Sequence, residues 1–556
     1  MIYVSVADRK IPSTQIIKQD SATRGKITTY DNFDISISKK LYKASLHPKN
    51  IDPDKKDLFI KLFSIYSGIS ENKIRKKLNE NSNKYIVLSY SISEKEAKRL
   101  KELAYKLNIR KVFREFEDSK GRIINYGLSI IESGEKRHYV YNDTLTPLVG
   151  YIKKFENKKG ITKIEGVKGI EKFYNDKLKP IQDEYLKGFR DVGSNIILNK
   201  EHIYKNRIDG FNVNLNIPLK LQKRIEDYLS NKKIELNAKE IIVGIMQPHS
   251  GKILTLATSN RFNPNHIRVK DYPSLNANAV ENSFEAGSVL KPFIFSTLLD
   301  KDLIKLDEII DTEGGTFKIG NRVITDDHRA KEMNMIDLIV HSSNIGMSKI
   351  AQRLNAGEYY QALMDFGFNQ KTGIDLPYEN KGVLVELSQL QKEIYKATIS
   401  YGYGIQTTFI QLLQAYNIFS NNGKIINPKL ASSITLNDNR GFFIEHDKPK
   451  SVISSKTANI MKEILIENVK RGTGRKARVD GITVGGKTGT AHIAKRGVYE
   501  KSYNSSFFGF ASDSNKTYTI GVTVYEPKGK YFASQTAVPV FKDIIGILVK
   551  LGYLKK

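Results

Sequence analysis

The alternation of apolar and polar residues in the first part of the chain predicts a mixture of helices and strands. Residues 93–107, SEKEAKRLKELAYKL, have the spacing of an amphipathic helix. The positions that share its apolar face are Ala97, Leu100, Leu103, Ala104 and Leu107. The segments 84–92 and 121–131 are rich in β-branched and aromatic residues and are predicted to be strands. This part of the chain contains no cluster typical of catalysis, so a scaffold or partner-binding role is expected.

A second pattern begins near Ile208. Residues 217–229 form an amphipathic pattern with a proline near its first turn, where proline is tolerated in a helix. Residues 240–259 predict a strand, a turn at 248–251 and a second strand. Another strand is expected at 517–526, followed by a closing helix at 537–554. Strands at both ends of this region predict an α/β domain whose sheet is completed from both ends.

Composition narrows the chemistry. The chain has 556 residues, 40% of them hydrophobic, which allows two or more domains. Its formal charge of +29 is large, but lysine is spread along the chain, which favours generally basic surfaces over a nucleic-acid site. There is no cysteine, and the 9 histidines include no H-E-x-x-H pair, so neither a catalytic metal nor a cofactor is expected. Apolar runs stay far below the roughly 20 residues that span a bilayer.

The stretch GITVGGKTGT, residues 481–490, fits two motifs. Its first part fits the phosphate-binding P-loop, G-x-x-x-x-G-K-[ST], and its end is the K-T-G of serine acyl-transferases. A P-loop needs a buried strand before its first glycine and a helix from its lysine. Here the polar segment GTGRKARVD precedes Gly481, and Gly489 disfavours a helix start. The K-T-G interpretation is therefore preferred.

Two further motifs support this choice. Ser288-Val289-Leu290-Lys291 is an S-x-x-K, and Ser342-Ser343-Asn344 is an S-x-N. Each motif alone is weak, but the three occur in the order that the acyl-transferases require. Serine needs a neighbouring base, and residues i and i+3 share a helix face, so Lys291 is expected one turn from Ser288. Taken alone, the pair would be read first as a helix start with a solvated lysine, and the other two motifs reverse that preference.

The other motif residues have predicted roles. Ser342 and Asn344 can transfer a proton and hold a substrate amide, although they could also cap a helix. Lys487 can attract a carboxylate, to which Thr488 and Thr490 can donate. We expect Lys291 to be neutral, through burial and the charge of Lys487, and Lys487 to stay charged.

The K-T-G segment also offers room for a substrate and a backbone hydrogen-bond donor. Gly489 leaves room for a substrate lying along the strand. The backbone N–H groups of Ser288 and Thr490 are candidates for an oxyanion hole.

With these motifs the chain resembles the class B penicillin-binding proteins, the monofunctional D,D-transpeptidases of peptidoglycan synthesis. RGKITTYDNFDIS from Arg24 and GVKGIEKFYNDKL from Gly166 are similar to segments of the family's amino-terminal module. MQPHSGKILTLAT and FGFNQKTGIDLP are similar to segments of its catalytic part. YGYGIQTTFIQLLQAY and GTGRKARVDGITVGGKTGTA resemble the septal branch most.

The resemblance implies a penicillin-recognising α/β fold, an antiparallel sheet flanked by helices, with an elongated α+β amino-terminal module. It divides the chain into a juxtamembrane stub (1–23), a non-catalytic dimerisation or pedestal module (24–203) and a transpeptidase domain (204–556). It also implies a single-pass anchor in the inner membrane, which we expect to lie outside the sequence given, and a catalytic domain in the periplasm.

The implied substrate is a peptidoglycan stem peptide ending in D-Ala-D-Ala, on lipid II or nascent glycan, and β-lactams are the implied covalent inhibitors. Implied partners are a SEDS-type glycosyltransferase and other divisome proteins, without nucleic acid. Two alternatives stay open: a D,D-carboxypeptidase with water as acceptor, and a non-catalytic divisome scaffold or β-lactam sensor. A class A β-lactamase is disfavoured because no E-x-x-x-N segment lies between Ser342 and Lys487.

Overall fold

The structure is a computed structural model. It describes residues 15–80, 84–117, 121, 123–124, 127–156, 161–189, 191, 196–198, 200, 202–445, 447–495 and 498–556, with backbone alone for 494–495 and 498–500. Its α-helices are Lys56–Ser67, Glu71–Glu80, Glu94–Ile109, Gly169–Phe173, Asn175–Leu178, Leu219–Glu235, Asn278–Glu281, Lys291–Asp300, Met335–Val340, Asn344–Ile350, Ala356–Asp365, Glu393–Ser400, Phe409–Ser420, Ser455–Arg471 and Ala537–Lys550.

The carboxy-terminal half, from about residue 208, is built on an antiparallel sheet whose strands come from both ends of that half, as the pattern predicts. Its strands, in spatial order, are Ile253–Thr258, Glu240–Met246, Thr517–Tyr525, Val498–Ser512 and Thr483–Lys495. The predicted closing helix, Ala537–Lys550, packs with Leu219–Glu235 in the core on one face. The K-T-G motif therefore lies on an edge strand of this sheet.

The other face of the sheet packs against the helix Phe409–Ser420, all of whose residues are buried. A fully buried helix must satisfy its polar side chains internally. Gln411 donates to the carbonyl of Gln370 at 2.6 Å, and Asn417 donates to that of Pro248 at 2.9 Å. The same core holds the helix Lys291–Asp300, so the segment after Ser288 is anchored in the largest apolar cluster.

A second sheet runs through the amino-terminal half and continues into the carboxy-terminal half. In order, its strands are Gly441–Phe443, Ala431–Thr435, Asn212–Leu215, Ile27–Thr28, Asp34–Leu46, Ser129–Tyr139, Thr162–Gly166 and Ile152–Glu156, and Ile86–Ser93 pairs with Asp34–Leu46. A smaller sheet consists of Gln15–Asp20, Glu184–Phe189 and Ile203–Lys205. The last strand runs across the expected boundary at 203/204, which stays a prediction.

Short strand pairs complete the fold. They are Phe116–Glu117 with Ile123–Ile124, Ser283–Glu285 with Gln406–Thr408, Ile309–Asp311 with Glu332–Asn334, Thr316–Ile319 with Arg322–Thr325, and Lys424–Ile425 with Lys450–Ser451.

The local predictions agree with these elements. The helix predicted at 93–107 is Glu94–Ile109, capped by Ser93, and its five predicted apolar positions are buried. The single strand predicted at 121–131 is wrong: Ile123–Ile124 and Ser129–Tyr139 are separate strands in different sheets. Residues 122 and 125–126 lie outside the described part.

Arg24, at the start of the segment 24–36, belongs to a buried cluster of charged side chains. Arg24 donates from Nε to Glu171 Oε2 at 2.9 Å, and Arg137 donates from Nε to the other oxygen of Glu171 at 2.7 Å. All three side chains are buried, and a buried charge needs such partners. Gly25 follows because a Cβ there would lie 1.9 Å from the carbonyl oxygen of Phe211. The two segments that carry the family resemblance in this half thus meet in one cluster.

Candidate active site

The segment of Ser288 is held against the K-T-G strand. A 3-10 turn, Gly287–Leu290, leads directly into the helix Lys291–Asp300, so the helix begins where the sequence predicts. The hydroxyl of Tyr416 donates to the carbonyl of Val289 at 2.7 Å and supports the turn from the core. Ser288 itself is partly exposed, as a nucleophile must be to meet a substrate.

Gly489 lets this turn approach the strand. A Cβ on Gly489 would lie 2.8 Å from Val289 Cγ1 and 3.0 Å from the carbonyl oxygen of Ala286. The sequence suggests that Gly489 leaves room for a substrate, but the structure shows that the space is used by the Ser288 turn. The glycine thereby brings the backbone of Thr490 close to that of Ser288.

Lys291 is fully buried and bonds to the S-x-N segment. Its Nζ donates to the carbonyl oxygen of Ser342 at 2.5 Å, to Ser342 Oγ at 3.1 Å and to Asn344 Oδ1 at 2.7 Å. Ser342 has a φ of 62°, in the left-handed region that costs a non-glycine residue energy. This conformation accompanies an arrangement in which both oxygens of Ser342 accept from Lys291.

Lys487 approaches the same hydroxyl from the strand. Its Nζ donates to Ser342 Oγ at 2.8 Å and to the carbonyl of Thr488 at 3.2 Å. Ser342 Oγ is therefore a shared acceptor for both motif lysines. Since it accepts twice, its own hydrogen is available to a third group, which is the geometry that proton transfer requires.

The two lysines are electrostatically linked. Burial lowers the pKa of Lys291 from 10.5 to about 7, and the nearby carboxylates of Asp326 and Asp327 oppose that shift. Burial also lowers the pKa of Lys487 well below 10.5, and the charge of Lys291 lowers it further. This lowering acts against the expectation that Lys487 stays charged, which remains a prediction. A buried pair of like groups resists holding two protons at once.

Asp326 accepts hydrogen bonds from the S-x-N segment, a role that the sequence analysis did not predict. Its buried carboxylate accepts from Ser343 Oγ and from the backbone N–H of Asn344, both at 2.5 Å, and from that of Ile345 at 3.1 Å. Ser343, rather than Ser342 or Asn344, is the N-cap of the helix Asn344–Ile350. The only available signal was the acidic pair DD upstream of the motif, which has no distinctive spacing.

The threonines of the K-T-G segment have partners in the protein. Thr488 Oγ1 lies 2.6 Å from Thr473 Oγ1, and Thr490 Oγ1 accepts from the backbone N–H of Ala533 at 3.2 Å. Thr473 is in turn held by Asn468 Oδ1, which accepts from its N–H and its hydroxyl. Thr473 belongs to the GTGRK segment, whose proximity to the K-T-G strand could not be foreseen from sequence.

Residues 483–495 are extended throughout, so the segment that fits the P-loop motif does not form a loop followed by a helix. The backbone geometry that would surround a phosphate is thus absent from this described segment. The eight residues proposed from the sequence lie on three adjoining segments. Ser288 and Lys291 are in the 3-10 turn and the helix start that follows it, Ser342 and Asn344 are just before and at the start of the helix Asn344–Ile350, and residues 487–490 are on the edge strand. In the described part of the chain, no helix is long and apolar enough to cross a membrane.

Comparison with known proteins agrees with this geometry. Residues 241–546 match the penicillin-binding protein transpeptidase domain, and residues 19–215 match the penicillin-binding protein dimerisation domain. Peptidoglycan D,D-transpeptidase FtsI of Buchnera aphidicola subsp. Schizaphis graminum is 31% identical over 428 residues, covering 76% of this chain and 71% of the relative. FtsI of Buchnera aphidicola subsp. Baizongia pistaciae is 28% identical over 543 residues, covering 96% and 87%.

The fold of the chain is also similar to that of a solved structure. Penicillin binding protein 3 from Mycobacterium tuberculosis, complexed with ampicillin, superposes with a TM-score of 0.68 at 20% identity and covers 96% of both chains. The domain matches span both halves of the chain, and the serine, lysine and K-T-G elements meet in one place. The chain belongs to the penicillin-binding proteins, in the class B group typified by FtsI.

Proposed function

We propose that this protein is a peptidoglycan D,D-transpeptidase that cross-links stem peptides through an acyl-enzyme on Ser288. The observation that carries the proposal is the contact of two buried lysines from different motifs with the same serine hydroxyl. Relatives named for this activity match nearly the whole chain, which supports the assignment.

In the proposed reaction, Ser288 Oγ attacks the carbonyl of the penultimate D-Ala of a donor stem. Its proton passes to neutral Lys291, the acyl bond to the terminal residue breaks, and D-Ala leaves with a proton delivered through Ser342. An amine of a neighbouring stem then attacks the acyl-enzyme and releases Ser288. The backbone N–H groups of Ser288 and Thr490 are proposed to stabilise the oxyanion.

Lys487 is proposed to act on the carboxylate of the donor. A bound anion favours the charged form of a lysine, so substrate binding would raise the pKa of Lys487. Thr490 would donate its hydroxyl hydrogen to the same carboxylate, and Thr488 would do so by turning its hydrogen from Thr473 to the substrate. Asn344 Oδ1 is taken by Lys291, and its amide donates to the carbonyl of Thr325, so we assign it to positioning Lys291 as well as the substrate amide.

The family match supports a proposal for the cellular setting. We propose that the amino-terminal part, about residues 24–203, is a non-catalytic module that docks partners, and that the catalytic part works outside the cytoplasmic membrane in septal wall synthesis. A SEDS-type glycosyltransferase and other divisome proteins are the proposed partners. β-Lactams are proposed inhibitors, as ampicillin is a ligand of the M. tuberculosis relative.

The proposal is tested by mass spectrometry of a reconstituted reaction with lipid II and a glycosyltransferase. We expect cross-linked dimers that disappear in Ser288→Ala and on penicillin treatment. Trimmed but uncross-linked stems would favour the carboxypeptidase alternative, and unchanged stems would favour the scaffold.

A further inference from the structure

A basic cleft lies in the amino-terminal half, between the strand Asp34–Leu46 and the helix Glu94–Ile109. The cavity measures about 930 Å³. Seven lysine or arginine side chains and one carboxylate, Glu94, line it. Two of the seven, Lys40 and Arg207, are paired with carboxylates beside the cleft, which leaves five lysines. Lysine is abundant in this protein, so the arrangement of these charges matters more than their number.

Two of the lysines face each other without compensation. Lys39 and Lys136 are directly opposite on the neighbouring antiparallel strands Asp34–Leu46 and Ser129–Tyr139, and both are exposed. Like charges in such a cross-strand pair destabilise a sheet. Neither forms an ion pair with another residue of the described part of the chain, so the fold itself does not explain why both are lysines.

The helix adds a second row of positive charge. Lys95, Lys98 and Lys101 are three residues apart, a spacing that keeps side chains on neighbouring positions of a helix surface. Lys101 lies over the ring of Tyr42, 5.2 Å from its centroid. Glu96, near this row, accepts from the backbone N–H of Ser93 at 2.9 Å and so caps the helix.

We propose that this cleft binds an acidic segment of a partner protein, with its carboxylates between the Lys39–Lys136 pair and the lysine row. The inference rests on the docking role proposed above for this half of the chain. On one side the strand Asp34–Leu46 pairs with Ser129–Tyr139, and on the other it pairs with Ile86–Ser93 only from Leu41 onward. The proposed recognition uses the lysine side chains, which carry the charge of the cleft. A phosphate ligand would favour a free guanidinium group, which can bind two phosphate oxygens at once. The arginine of this cleft, Arg207, is already paired with Asp20 and Asp209. The remaining basic side chains are lysines, whose compact ammonium groups can each pair with one carboxylate of an acidic segment.

The test measures fluorescence anisotropy of a labelled poly-glutamate peptide with the full chain. K39E/K136E should weaken binding at least about tenfold. K270E/K456E is the matched control, because it changes the net charge equally at exposed lysines outside the cleft. Equal weakening by both variants would overturn the proposal, because the attraction would then be general. Phosphatidylglycerol vesicles and a single-stranded oligonucleotide are measured in parallel; tighter, cleft-dependent binding of either would also overturn it.

A second measurement guards against misfolding. K136E replaces the repulsive cross-strand pair with an attractive one, so it should raise the melting temperature while weakening peptide binding. A lower melting temperature would show that the Lys39–Lys136 pair does not destabilise the sheet, which would overturn this part of the proposal. Labelling of Ser288 by a fluorescent penicillin should be unchanged in all these variants, which separates a failure of this inference from a failure of the proposed reaction.

Discussion

Lys487 Nζ lies 2.8 Å from Ser342 Oγ. The second motif lysine, Lys291, lies 3.1 Å from the same oxygen. One hydroxyl thus connects the buried lysine of the helix with the buried lysine of the sheet edge. Because a proton on either lysine disfavours a proton on the other, the position of Ser342 suits it to pass a proton between the nucleophile side and the leaving group.

Ser342→Ala should therefore slow acylation by roughly a hundredfold, the range in which positioned proton transfer contributes. Alanine keeps the Cβ that a left-handed φ of 62° disfavours, whereas glycine removes it, so Ser342→Gly is the matched variant. Both lack the hydroxyl, but glycine relieves the backbone. Second-order labelling rates with a fluorescent penicillin should fall in both. A normal rate in Ser342→Gly would show that the backbone, and not the hydroxyl, matters.

Asp326→Asn should reduce acylation about tenfold to hundredfold, since a hydrogen bond to a charged group is worth about 1.5–3 kcal/mol. The carboxylate of Asp326 also opposes the lowering of the Lys291 pKa, so its removal should move the inflection of the pH–rate profile to lower pH. Asp327→Asn removes a similar charge at an exposed position and is the control. It should shift the inflection to a smaller extent and leave the plateau rate unchanged. An equal plateau loss in both variants would contradict the positioning role.

Thr473→Val should weaken recognition of the substrate carboxylate, because it removes the hydroxyl 2.6 Å from Thr488 Oγ1. Thr473→Ser keeps that hydroxyl and should keep near-normal behaviour. We expect a higher apparent dissociation constant for penicillin with little change in the limiting acylation rate. Saturation kinetics by stopped flow separate the two constants, and a change confined to the limiting rate would rule out this assignment.

Glu226→Gln should stabilise the protein increasingly as pH rises from 5 to 8. Burial raises the pKa of Glu226 to about 7, although Arg261 and its hydrogen bonds oppose the shift. The folded state therefore binds more protons than the unfolded state between the unfolded value of 4.5 and about 7, and the wild type loses stability across that window. Melting temperatures against pH are the readout. A constant difference between the two proteins would mean that Glu226 does not titrate there.

The order of elements and the site motifs could be predicted because they are local. The helix over Glu94–Ile109 follows from apolar spacing, and the K-T-G assignment follows from the poor P-loop flanks of Gly481. Asp326 and Thr473 could not be predicted, since their contacts with Asn344 and Thr488 depend on how distant loops pack. The lowered pKa of Lys487 was missed for the same reason, because burial is a property of the whole fold.

The central claim is that Lys291 is the base that activates Ser288. A buried lysine with a pKa of about 7 is increasingly neutral as pH rises through that value. The most direct test is the second-order rate of Ser288 labelling by a fluorescent penicillin against pH, for the wild type and Lys291→Ala. The account predicts a wild-type rate that rises with pH through an inflection near 7, and almost no labelling of the variant at any pH. A folded Lys291→Ala protein that labels at close to the wild-type rate would contradict it.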